Sequence, residues 1–148
     1  MSDEKIYQGA VIILYQKSGN DKLYVVVENQ TGNITFPAGA KEDFDNTLQD
    51  TAQREVTEEL GLKFEDYSLK PTDVSYEFVF GPQKKERAGA KGVYAIFIGE
   101  IKSDILVKAT SELKSVKLMT AAETIHSLSF DDLRDIFREL IDYGHLGK

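Results

Sequence analysis

The chain has no cysteine. That excludes disulfides, a thiolate nucleophile and any zinc site built on Cys. Long hydrophobic runs are missing too, and none approaches the roughly 20 residues needed to span a bilayer. The opening residues, Met1-Ser2-Asp3-Glu4-Lys5, are acidic and lack an apolar stretch of signal-peptide type behind a basic end. A soluble protein of the reducing cytoplasm, with no membrane partner, fits these absences. Positive charge is scarce: 18 Lys and Arg stand against 25 Asp and Glu, a net charge of −7. This argues against binding a DNA or RNA duplex through its backbone, where affinity comes from Lys and Arg displacing counterions. His126 and His145 have no partner at a useful spacing, and no serine sits in a nucleophile-elbow sequence. No repeat, low-complexity tract or linker divides the 148 residues, so 1–148 read as a single domain, long enough to bury about two-thirds of its surface.

What is present is one acidic stretch, Arg54-Glu55-Val56-Thr57-Glu58-Glu59-Leu60-Gly61-Leu62. Glu55, Glu58 and Glu59 stand at i, i+3 and i+4, so on a helix their carboxylates project together and repel. A helix built only for solubility would interleave Lys or Arg at these spacings, and the cluster therefore points to a cation from outside the chain. Hard divalent ions, Mg²⁺ above all, are held by a few carboxylates together with substrate phosphates. Taken alone, the triplet reads more readily as the solvated face of an acidic protein. Its surroundings shift that balance.

A helix from Asn46, with Asn46 as cap and Gln49 reaching back, carries Leu48, Ala52, Val56 and Leu60 as an apolar stripe beside the carboxylates and ends at Gly61. Upstream, Ile6 to Tyr15 suits a strand buried on both faces. Ser18-Gly19-Asn20-Asp21 supplies a turn, and Leu23 to Val27 completes a hairpin. Ile34-Thr35-Phe36 forms a short strand stopped by Pro37, and Gly39 follows in a loop that can bring backbone close to a ligand. Downstream, Val74 to Phe80 and Val93 to Ile98 read as neighbouring strands, Leu113 to Met119 as another, and Ser129 to Tyr143 as a capped amphipathic helix burying Phe130, Leu133, Ile136, Phe137, Leu140 and Ile141. The loop Gly81 to Gly92 holds the one local concentration of positive charge, including Lys84, Lys85 and Arg87. It suits a phosphate clamp and a solvated hairpin tip equally.

The acidic stretch resembles the signature of the Nudix hydrolases, Gx5Ex7REUxEExGU with U aliphatic. Arg54, Glu55, Val56, Glu58, Glu59, Gly61 and Leu62 meet it at every specified position. The first half departs: Gly39 serves as the opening glycine only with one extra residue in the loop, and Asn46 then stands where the first Glu belongs. The resemblance implies an α/β fold, a Nudix-type α/β/α sandwich with a mixed, partly antiparallel sheet and a loop–helix–loop catalytic motif. It also implies metal-dependent hydrolysis of a pyrophosphate bond in a nucleoside diphosphate derivative. Mg²⁺ or Mn²⁺ would be held by Glu55, Glu58 and Glu59, chiefly the last two, with one carboxylate also acting as base. Arg54 would orient a carboxylate, and Gly39 would bring the loop close. Asp45, Asp43 or Glu42 could make up for Asn46.

Members of the family often add an acidic residue from outside the signature. Glu112 is the first candidate and Glu100 the second. The later chain, with Tyr76 on a strand and then the Lys-rich loop, looks loosely like the diadenosine polyphosphate hydrolases, which makes Tyr76, Lys84, Lys85 and Arg87 candidate substrate contacts. Nucleoside triphosphates, nucleotide sugars and ADP-ribose stay open as substrates, and a homodimer is compatible with the architecture. The alternative, prompted by Asn46 and the altered glycine loop, is a catalytically weak or silent Nudix-fold module that binds a nucleotide for regulation.

Overall fold

A computed structural model describes residues 5–82 and 86–142. Strand β1 (Ile6–Ser18) is the spine of the molecule. It pairs parallel with β6 (Lys91–Ile101) along Ile6 to Gln16, and antiparallel with β2 (Asp21–Glu28) at its far end and with β4 (Ala38–Ala40) near its start. The seven-stranded sheet is completed by β3 (Ile34–Thr35) and β7 (Ser115–Met119) on β2, and by β5 (Lys70–Val79) on β6. The hairpin, the neighbouring pair of later strands and the mixed sheet all match the pattern of apolar runs. Pro71, which cannot donate to a ladder, sits on the edge strand β5, where the register slips between Pro71 and Ser75.

The near-continuous apolar run in β1 is explained by two cores, one on each face. Ala10, Ile12 and Leu14 face α1 (Leu48–Leu60), whose Ala52, Val56 and Leu60 are buried against them. Val11 and Ile13 face the opposite way, toward α3 (Asp131–Asp142), which buries Leu133, Phe137 and Leu140. Helices on both faces of one mixed sheet make the α/β/α sandwich. Phe137 is fully buried, with its ring 5.0 Å from Tyr24 and 5.3 Å from Phe36, and burial of such a side chain contributes about 2–3 kcal/mol. Through Phe36, α3 thus supports the segment that leads into β4.

Several boundaries differ from the sequence reading. Helix α1 starts at Leu48 and is capped by Thr47, not Asn46. The Thr47 hydroxyl accepts from the Asp50 N–H at 3.1 Å while the Asp50 carboxylate accepts from the Thr47 N–H at 3.1 Å, a reciprocal capping box one residue later than expected. A further short helix, α2 (Ala121–Ser127), is capped in the same way by Thr120 and Glu123. Ser129 does not cap α3: its hydroxyl accepts from the Ile34 N–H at 2.7 Å and its own N–H donates to the Ile34 carbonyl at 3.0 Å. It fastens the helix entry to β3 instead, which turns Phe130 outward to 40% exposure. The strand expected from Leu113 begins at Ser115, because Leu113 closes a turn on Thr110. Tyr143 and His145 lie outside the described residues, and no described helix is long and apolar enough to cross a membrane.

Candidate active site

The site forms where α1 passes over β4. The apolar stripe of α1 fixes the helix on the sheet, and the adjoining arc then turns Glu55 and Glu59 inward, leaving them 9% and 8% exposed. Gly39 is required by this approach. A Cβ there would lie 2.1 Å from the Glu55 carboxyl carbon, so any side chain would displace the carboxylate. Glu55 and Glu59, one helical turn apart, influence each other's ionisation, and the Ala38 N–H favours the charge of Glu59. Burial, followed by the charge of Glu55, pushes the Glu59 carboxyl up to about 9. Burial raises Glu55 as well, against the pull of Arg54. Burial of two like charges one helical turn apart raises the cost of ionising both together.

Arg54 holds the other half of the cluster. Its Nε and Nη2 donate to Asp45 at 3.2 and 2.9 Å, Nη1 donates to Glu55 at 3.0 Å and to Glu58 at 3.2 Å, and Nη2 also reaches the Ala40 carbonyl at 2.9 Å. The exposed Phe44 ring lies over the guanidinium at 5.2 Å. Asp45 is 5% exposed and accepts further from the Thr51 hydroxyl and the Glu42 N–H, both at 3.0 Å. The Arg54 hydrogen bonds, with help from those two, lower the Asp45 carboxyl to about 2. This is a fixed, charge-assisted fork of the kind Arg makes with carboxylates.

Asn46, by contrast, is exposed. Counting the signature's first interval from Gly39 lands on Asp45, so the extra residue falls between that carboxylate and Arg54 rather than before it. Of the residues offered to make up for Asn46, the structure brings Asp45 to Arg54.

Glu112 lines the same pocket as Glu55 and Glu59, together with Asn29, Phe36 and Ala38, and its charge adds to the pressure on Glu59. Glu100 is elsewhere, accepting from the Tyr15 hydroxyl at 3.2 Å and facing Lys17 at 3.9 Å. Tyr76 is not brought to the carboxylates either. It is buried in the core beneath α3, its ring stacked on Phe78 and its hydroxyl donating to Asp132 at 3.0 Å. Arg87 lies over the Tyr7 and Phe80 rings at 4.9 and 5.7 Å. Lys84 and Lys85 lie outside the described residues.

Among the described residues no three His, Asp or Glu side chains already converge as a ready-made cation cage. The donors nonetheless suit a hard divalent ion: all are carboxylate oxygens, two are buried one helical turn apart, and a third lines the same pocket. Glu58, more exposed, is held by Arg54. Asn29 and Phe36 were not among the site residues expected from the sequence: they reach the pocket through the fold and carry no motif.

The chain belongs to the NUDIX domain family, whose model matches residues 6–140, and is thereby an enzyme of the pyrophosphohydrolase class. Solved structures agree on the fold. A Caenorhabditis elegans Ap4A hydrolase in a binary complex superposes with a TM-score of 0.77 at 14% identity, over 93% of this chain and 96% of that one. The Escherichia coli dihydroneopterin triphosphate pyrophosphohydrolase gives 0.77 at 15%, over 94% and 99%. A NUDIX hydrolase from Listeria monocytogenes gives 0.76 at 20%, over 90% and 91%. Among curated proteins none matches by sequence.

Proposed function

We propose that this single-domain, cytoplasmic protein hydrolyses a pyrophosphate bond in a nucleoside diphosphate derivative with Mg²⁺ or Mn²⁺, which Glu55, Glu58, Glu59 and Glu112 would hold. The observation that carries this reading is the pair of buried carboxylates, Glu55 and Glu59, in one pocket with Glu112, with Glu55 pressed against Gly39. A bound divalent ion supplies charge neutralisation at the phosphate oxygens and hydroxide near neutral pH. The chain's own part is to position and to manage protons. Arg54, fixed by Asp45, holds Glu58 and one oxygen of Glu55 in place, while positive charge arriving in the pocket would favour the ionised form of Glu59, which burial opposes. Phe36 and Ala38 give the pocket an apolar wall beside the carboxylates, suited to the non-phosphate part of a substrate. Arg87, with Lys84 and Lys85 from the same loop, is assigned to substrate phosphates.

Within the class, a dinucleoside polyphosphate or a nucleoside triphosphate is the favoured substrate, supported by likeness of fold to the Ap4A hydrolase and the triphosphate pyrophosphohydrolase. Asn46 and the altered glycine loop favour a silent regulatory module, while the three helix carboxylates, with Asp45 bound to Arg54 beside them, support the enzyme. The test is product formation with Mg²⁺ or Mn²⁺ across nucleoside triphosphates, diadenosine polyphosphates, ADP-ribose and nucleotide sugars, beside Glu58→Gln and Glu59→Gln. Metal-dependent turnover lost in both variants supports the hydrolase. Binding without turnover by the folded wild type returns the silent module.

A further inference from the structure

The segment carrying Glu112 has no regular secondary structure, yet it is tied down at several points. The Thr110 N–H donates to the Glu59 carbonyl at 2.9 Å and the Thr110 hydroxyl to the Glu58 carbonyl at 2.5 Å. These are carbonyls of the last turn of α1, which have no partner within the helix. The same hydroxyl accepts from the Glu112 N–H at 3.3 Å, and the Leu113 N–H closes the turn on the Thr110 carbonyl at 3.2 Å. Leu113 is buried at 7% exposure, and Lys114 bonds the Glu28 carbonyl at 2.9 Å. One side chain thus joins the backbone of Glu58 to the backbone of Glu112, more than 50 positions away, while the Thr110 N–H holds the neighbouring Glu59 carbonyl.

We propose that Thr110 is a positioning residue that sets Glu112 against the Glu55–Glu59 pair, so that this chain's cation site depends on a hydroxyl outside the signature. The inference rests on the metal-dependent reading given above. Its physical basis is that Glu112 is exposed, and an exposed glutamate on an untethered loop would sample many positions and lose rotamer freedom on engaging a cation. The Thr110 hydroxyl bears that ordering in advance: it caps the helix end with its proton and holds the Glu112 backbone with a lone pair. A hydroxyl can do both at once, and a methyl can do neither.

The experiment is a Mn²⁺ titration followed by electron paramagnetic resonance on the full chain, with wild type, Thr110→Val, Thr110→Ser, Glu112→Gln and the Thr110→Val/Glu112→Gln double variant. Thermal unfolding in EDTA is measured alongside, to compare fold stability. Thr110→Val is expected to weaken Mn²⁺ binding by about tenfold, the lower end of what loss of a ligand-orienting partner costs, and Thr110→Ser to stay near wild type. In the Glu112→Gln background, Thr110→Val is expected to add nothing, because the residue acts through Glu112. Unchanged affinity in Thr110→Val, or losses that simply add in the double variant, would overturn the proposal while leaving the hydrolase reading intact. Should wild type bind no Mn²⁺, both readings fall. If Thr110→Val unfolds, Thr110→Ser against Thr110→Ala carries the same comparison.

Discussion

Replacing Glu59 by Gln is expected to stabilise the metal-free protein at alkaline pH while removing its activity. The Glu59 carboxyl is raised from 4.5 to about 9 in the folded chain, first by burial and then by Glu55. Between those values the native state holds a proton that the unfolded state lacks. A folded pKa above the unfolded one gives stability that is complete below 4.5 and lost as pH rises through about 9. The slope for one proton is about 1.4 kcal/mol per pH unit, so wild type should lose about 3 kcal/mol from pH 6 to pH 8. Glutamine carries the neutral shape with no proton to lose: its amide N–H₂ can donate to Glu55 and its oxygen can accept from Ala38. Urea unfolding in EDTA at pH 6, 7 and 8 should show wild type declining and the variant nearly flat, with the variant the more stable at pH 8. Mn²⁺ at pH 8 should restore wild type and leave the variant unmoved, and turnover in the variant should fall by at least about 100-fold. Parallel pH curves, or a variant less stable than wild type at pH 8, would refute the raised Glu59 pKa.

Gly39→Ala puts a methyl 2.1 Å from the Glu55 carboxyl carbon. It is expected to cost about 1–3 kcal/mol in thermal or urea unfolding and to lower turnover more than substrate affinity, because the displaced group is the carboxylate. Asp45→Asn leaves Arg54 with one carboxylate fewer and should destabilise the fold by about 3 kcal/mol at pH 7, as loss of one partner of a buried pair does. The Asp45 carboxyl is lowered to about 2 from 3.8, so its stabilisation is present above 3.8 and lost as pH falls toward 2. Acid unfolding of Asp45→Asn should lack that component. Arg54→Lys keeps the charge and loses the fork to Asp45. It should behave more like Asp45→Asn than like wild type in both turnover and unfolding.

How much of this was legible in the sequence depended on how local the cause was. The apolar run of β1, the hairpin turn and the stripe Ala52, Val56, Leu60 follow from period and turn chemistry alone, and the structure places them accordingly. The carboxylate triplet was equally plain, since i, i+3 and i+4 on a helix leave little freedom. Cap positions were less so: Asn46 and Thr47 are both good caps, and the choice fell to Thr47 because Asp50 returns its bond. Ser129 looked like a cap and became a tether to Ile34, and Tyr76 looked like a cleft residue and became a core residue bonded to Asp132. Those outcomes depend on how α3 docks on the sheet. No spacing within the sequence encodes that.

The two halves of the carboxylate cluster are built on opposite electrostatic plans. Asp45 is buried with a cation and two further donors, so its charge stabilises the fold. Glu55 and Glu59 are buried against each other, with one N–H from Ala38 and one guanidinium nitrogen as compensation, so their second charge destabilises it. Arg54 is common to both and cannot satisfy both fully: its Nε and Nη2 go to Asp45, and Nη1 is left to divide between Glu55 and Glu58. Strengthening the Asp45 fork therefore does nothing to neutralise Glu59. The deficit of positive charge stays on the pocket side, beside Glu112. A chain selected for stability alone would place a lysine or an amide at 59, as the Glu59→Gln prediction assumes. A carboxylate at 59, whose charge is opposed by burial and by Glu55, is a physical reason to assign the pocket to a positively charged ligand.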